Sequence, residues 1–216
     1  MNNQNLDLVI TNYKVVSEKG GPLNNYQLMI NFNSLAKLDK KDALSLFILM
    51  DDSTHKAVLF LGLWKRESIN EVMKSLPILY KKYKYWKGLD ISILTYALTK
   101  INFYQIPERL FIKKYEQAAP GSLINRIKGI RDKFKNLFFK PKNSQKYYAA
   151  VYKQHIKDID MIEESLKIGG LSANDLKKTI SLKKSLFYLP IEIRVVVTAI
   201  IVFFLKHYYR LKKALK

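Results

Sequence analysis

The chain has no cysteine, so disulfide bridges, thiolate metal sites and a cysteine nucleophile are excluded, in keeping with a reducing compartment. Acidic residues are scarce: 18 Asp and Glu stand against 38 Lys and Arg in 216 residues, a formal charge of +20. That excess is more than solubility asks for and points to an anionic partner, either nucleic acid or an anionic lipid surface. The opening stretch "MNNQNLDLVI" lacks a basic segment followed by a long apolar run. No secretory leader is expected, and the N-terminal part is expected to fold in the cytoplasm.

The familiar signatures of catalysis are missing as well. There is no G-x-G-x-x-G, no G-x-S-x-G elbow, and Gly20-Gly21-Pro22 lacks the lysine and hydroxyl of a phosphate loop. His55, His155 and His207 are scattered at spacings that make no metal pair. An acidic patch over Asp158, Asp160, Glu163 and Glu164 beside His155 reads most simply as solvated helix charge. Asp51-Asp52-Ser53 reads as a helix-ending turn. No catalytic residue, metal or cofactor is therefore expected, and neither an internal repeat nor a low-complexity segment occurs.

What is present is apolar content of 48%, ample for a core. The expected fold class is α+β, with a small mixed N-terminal domain over residues 1–118 and a basic helical region over 119–216 that ends in an apolar helix. "NLDLVITNYKVV" reads as a strand. "YQLMINF" alternates Tyr26, Leu28, Ile30 and Phe32 on one side, and "GGPLNN" between them supplies a turn, which predicts a β-hairpin. Asp39 with Asp42 predicts a helix start before "ALSLFILM", with Ala43, Phe47 and Met50 inward. "KAVLFLGLW" reads as a buried strand. Ser68 with Glu71 predicts a capped helix carrying Ile69, Val72, Met73, Leu76 and Leu79, kinked or ended at Pro77. "DISILTYAL" and "RLFIKKYEQ" are strand candidates, the first equally readable as helix.

Pro120-Gly121 marks the domain boundary. Beyond it, Leu123, Ile127, Ile130, Phe134, Leu137 and Phe138 form a helical stripe opposite Arg126, Lys128, Arg131, Lys133 and Lys135. A second helix should place Tyr148, Tyr152, Ile156, Ile159, Ile162 and Leu166 inward and stop at Gly169-Gly170, and Ser172 with Asp175 should start a third.

The closing run "PIEIRVVVTAIIVFFLKHYYRLKK" raises the question of a membrane. A 19-residue window over Phe187–Leu205 averages roughly +2 in mean hydropathy, which favours a span. Against that, the uninterrupted part, Val195–Leu205, is short of the ~20 residues a crossing needs. Glu192 and Arg194 would lie inside the span, and both flanks are basic, so no orientation is favoured. Insertion from one side satisfies both flanks, with Arg126, Lys128, Arg131, Lys133, Lys135, Lys206, Arg210, Lys212 and Lys213 at anionic headgroups and Val195, Ile200, Ile201, Phe203 and Phe204 in the apolar layer. Packing in a soluble core or at a subunit interface is the plain alternative.

A rival anionic partner is suggested by "YKKYKYWK". Lys81, Lys82, Tyr83, Lys84, Tyr85, Trp86 and Lys87 alternate cations and rings, as single-stranded nucleic-acid grooves do. The leading expectation is a non-enzymatic interaction or accessory protein on the cytoplasmic side of a membrane, its first domain meeting a protein partner. A soluble basic nucleic-acid binder and a subunit of a larger assembly are the alternatives.

Overall fold

The structure is a computed structural model that describes residues 6–17, 32–50, 56–84, 88–115, 142–189 and 191–215. The hairpin's turn and return strand, Asp51-Asp52-Ser53, His55, Tyr85 to Lys87, the Pro120-Gly121 boundary and the basic helix after Ser122 lie outside the described residues.

The fold is α+β. Strand β1, Leu8–Ser17, is rich in β-branched residues and forms the centre of a sheet ordered β2-β1-β3. It pairs antiparallel with the two-residue β2, Leu63–Trp64, and parallel with β3, Phe103–Tyr115. A parallel pair needs a long crossover, and the helices between β1 and β3 provide it.

The β1–β3 register slips on either side of Asn12. Pro107 has no N–H to give to the ladder, so side chains of β1 take over: Thr11 donates to the Glu108 carbonyl at 2.8 Å and Asn12 to that of Pro107 at 2.6 Å. One level down, the Asn33 amide meets both backbone groups of Gln105 and docks helix α1, Phe32–Ala36, against β3. The Gln105 side chain is buried and bridges the Phe32 N–H to Asn12. Phe32, expected at the end of a strand, thus begins a helix.

Helix α2, Lys40–Leu49, starts where Asp39 indicates, although neither acid caps it through its side chain. Its buried set is wider than Ala43, Phe47 and Met50: Leu44 to Leu49 are all enclosed, because helices cover α2 from several sides. "KAVLFLGLW" is not a strand. It forms a 3-10 turn, Lys56–Leu61, and only Leu63 and Trp64 pair with β1. Gly62 lies so close to Leu8, Ile10 and the Val9 carbonyl that a Cβ there would run into them.

Helix α3, Arg66–Met73, begins two residues ahead of Ser68, whose hydroxyl serves Asp7 rather than a helix end. Pro77 offers no N–H to the carbonyl four residues back, and the helix divides at Lys74 into α3 and α4, Ser75–Tyr83. "DISILTYAL" is helical: α5, Leu89–Lys100, is buried throughout apart from its first-turn Asp90 and the final lysine. Its buried threonine hydroxyls are satisfied locally, Thr95 donating to the Ile91 carbonyl and Thr99 to that of Tyr96, and the Tyr96 hydroxyl donates to Glu71 of α3, so the helix can be enclosed on all sides.

Helix α6, Lys142–Ile168, packs along α5 through Ile159, Met161, Ile162 and Leu166. It ends in a Schellman turn, with Gly170 at φ 80° and the Leu171 N–H reaching the Leu166 carbonyl. Ser172 accepts the Asn174 N–H and caps a 3-10 turn leading to α7, Lys177–Leu186. The long α8, Ile191–Ala214, closes the chain. Residues from β1 through α7 form one contiguous buried cluster, so helices on both sides of Pro120-Gly121 share a core.

Candidate functional site

Helix α8 runs antiparallel to α2. Lys212 meets Asp42 at 3.1 Å, and one turn back along α8, Tyr209 meets Ser45. The side of α8 turned to the body carries polar groups among apolar ones. Arg194 and Thr198 are both buried there, with the Arg194 guanidinium 4.9 Å from the centre of the Phe187 ring. Val202, Leu205 and Tyr209 add partial apolar packing on the core. At the far end, Lys213 donates to the Lys37 carbonyl at 2.6 Å. Burial pushes the Tyr209 hydroxyl above its usual range, the Asp42 carboxylate raises Lys212, and burial with Arg210 nearby lowers Lys206.

The opposite side is apolar and open. Val196, Ile200, Phe203, Phe204, Tyr208, Leu211 and Leu215 recur at steps of three and four and form one stripe along the helix. Phe204 is 66% and Leu211 65% exposed, far beyond the scattered surface leucines normal for a protein. The seat of α8 thus combines charge and hydroxyl with aliphatic packing, and its outer face carries large hydrophobes that the body does not cover.

Of the expected membrane-facing residues, Ile200, Phe203 and Phe204 point outward and Ile201 is half-buried; Val195 is helical. Arg210 is exposed, whereas Lys212 and Lys213 fasten α8 to α2 and the turn before it. No helix of the described residues is long and apolar enough to cross a membrane. The apolar window counted from Phe187 is not one helix, because Phe187 to Leu189 form the turn that ends α7.

The aromatic-basic segment is largely engaged elsewhere. Tyr83 is half-buried and donates to the Asp160 carbonyl at 3.0 Å, and burial raises its hydroxyl. Lys82 pairs with Glu164 at 2.6 Å, which raises the ammonium. Lys81 is exposed, and Lys84 ends α4 at φ 48°.

The acidic patch of α6 is an adhesive between helices. Glu164 also lies near Lys167, while Glu163 and Asp160 meet Lys184 of α7 at 3.1 and 3.9 Å. Burial raises Asp160 while Lys184 pulls it the other way. Among the described residues no group of three or more His, Asp or Glu could hold a metal. His155 stacks flat on Phe187 at 4.1 Å, its Nδ1 3.6 Å from Asp158.

A cavity of about 460 Å³ opens between the α1–α2 corner and the end of α5, lined by Leu35, Leu38, Leu98, Ile101 and Phe103 with Lys40 at its edge. Sequence reasoning missed it, since its walls come from segments far apart in the chain. The outward register of α8 was missed too; Arg194 and Thr198 on one face were the available signal.

Comparison with known proteins finds no matching protein-family model, no matching curated protein and no matching solved structure.

Proposed function

We propose that the protein is a non-enzymatic accessory protein that attaches peripherally to the cytoplasmic, anionic face of a membrane through the outer side of α8. The observation that carries this reading is the stripe from Val196 to Leu215, apolar and exposed on the side of α8 turned away from the body. Moving such half-exposed side chains into an apolar layer is worth on the order of 1 kcal/mol each. Seven together supply a gross gain comparable with that of other interfacial helices, before the cost of orienting the protein.

Charge selects the occupant of this face. Helix α8 holds five basic residues and the single acid Glu192, so a second α8 laid along it would bring further positive charge to the ends of the stripe and no acid to offset the cations after Leu205. An anionic headgroup layer complements both the apolar stripe and the cations beside it. Tyr208 lies where the apolar run gives way to Arg210, a depth that suits an aromatic ring.

The test is co-sedimentation of the full chain with vesicles of phosphatidylcholine, alone and mixed with phosphatidylglycerol, against a Phe203→Ser, Phe204→Ser double variant. The expected outcome is pelleting with the anionic vesicles that persists in high salt and is lost in the variant. No pelleting, or pelleting that the double substitution leaves intact, overturns the proposal. A dimer in solution that the same substitutions dissociate would instead assign the stripe to a second copy.

A further inference from the structure

His207 is exposed on the outer side of α8 where the uncharged run ends at Leu205, one turn after Phe203 and one turn before Leu211. Its ring packs against Phe203 at 4.4 Å, and its Nδ1 lies 2.9 Å from the Phe203 carbonyl. A carbonyl only accepts, so this contact assigns the neutral ring's proton to Nδ1 and leaves the Nε2 lone pair as the place where a second proton binds. Protonation therefore keeps the Nδ1 bond and the ring position and adds a positive charge to an exposed apolar face. Histidine is the side chain whose ordinary titration falls between pH 5 and 8.

The surroundings are one-sided. On its own helix His207 has Lys206 before it and Arg210 after it. Helix α2, the element on which α8 packs, brings Asp42, which is taken by Lys212, and the preceding Asp39 also acts on Lys212. Among the described residues no carboxylate pairs with His207. An acidic lipid phosphate at the outer face would be the counter-ion that the protein itself does not provide.

Resting on the peripheral attachment proposed above, we infer that His207 grades the protein's hold on an anionic membrane with pH, tightening it in mild acid by presenting a cation to the headgroups at the basic end of the outer face, beside Lys206 and Arg210. One added charge next to such a surface is worth about a fivefold change in binding.

The experiment measures partitioning of the full chain onto phosphatidylcholine–phosphatidylglycerol vesicles at about pH 7.5 and about pH 5.5, across the histidine range. Wild type is expected to bind about fivefold more tightly at the lower pH, His207→Gln to lose that dependence, and His207→Lys to bind at the higher pH as wild type does at the lower. All three carry an exposed substitution site, and equal unfolding midpoints would establish that the fold is unchanged. If wild type and His207→Gln respond alike to acid, or wild type binds equally at both pH values, the role of His207 is overturned while the attachment stands. If wild type binds at neither pH, the attachment falls and the inference with it.

Discussion

Helices α5 and α8 are both strongly apolar, and they are used in opposite ways. Helix α5 has neighbours on every side and encloses Leu89, Ile91, Ile93, Leu94, Ala97 and Leu98. Helix α8 packs chiefly on α2 and leaves Ile200, Phe203, Phe204 and Leu211 in the open. Their apolar content is alike; the placement of their polar groups is not. The serine and threonine hydroxyls of α5 bond to its own backbone, while Tyr96 reaches out to Glu71 of α3. In α8 Arg194, Lys212 and Lys213 reach partners outside the helix, namely the Phe187 ring, Asp42 and the Lys37 carbonyl. These contacts hold one side of α8 to the body, together with Val202, Leu205 and Tyr209, and leave the outer stripe turned away from it.

The sharpest way to break this contrast is Leu94→Ala in α5, a fully buried site with covering on all sides. Denaturant unfolding should show a loss of about 2–5 kcal/mol. A value below 1 kcal/mol would mean that α5 is not the enclosed helix described here. Arg194→Ala comes next: it removes a buried cation from the Phe187 ring, together with the packing of its stem, for an expected loss of about 1–2 kcal/mol in the same assay. If that substitution has no effect, the polar seat of α8 is not what holds it.

Lys212→Met sharpens the contrast at the other end of α8, through pH. Asp42 raises the folded-state pKa of Lys212, so the pair's contribution is complete below the ordinary lysine range and disappears as pH climbs through the raised value. The stability difference between wild type and Lys212→Met should therefore hold steady through neutral pH and shrink in strong alkali. A difference that grows with alkali would contradict the contact. The smallest effect is predicted for Ile200→Ser on the outer face, within about 0.5 kcal/mol of wild type by denaturant unfolding, because no protein neighbour is lost. A large destabilisation there would show that the face is covered.

The particular elements explain which features were legible. β1 could be read because β-branched residues crowd a short stretch, and the end of α6 because Gly170 supplies the left-handed conformation that a Schellman turn requires. Pro77 could be read as a break because the missing N–H acts locally, whatever the tertiary setting. "KAVLFLGLW" reads as a strand and is a 3-10 turn over Lys56–Leu61, and "DISILTYAL" reads equally as strand or helix, since a short apolar run suits any buried conformation and neighbours distant in sequence decide among them. Tyr83 and Lys82 looked available for stacking and phosphate contact only until Asp160 and Glu164 of α6 were placed beside them. Ile200, Phe203 and Phe204 were identified as apolar surface candidates, but their register could not be separated from that of Val202 and Leu205.

By itself the sequence determined the α+β class, the helix breaks, the cationic excess and the presence of an apolar C-terminal segment too interrupted by charge for a comfortable crossing. These follow from local sterics, hydrogen-bonding capacity and net charge, which need no knowledge of neighbours. Only the tertiary structure decided which side of α8 faces water. That choice depends on Asp42 and Phe187 standing where Lys212 and Arg194 can reach them, and a buried cation without such partners costs far more than leaving a few hydrophobes exposed.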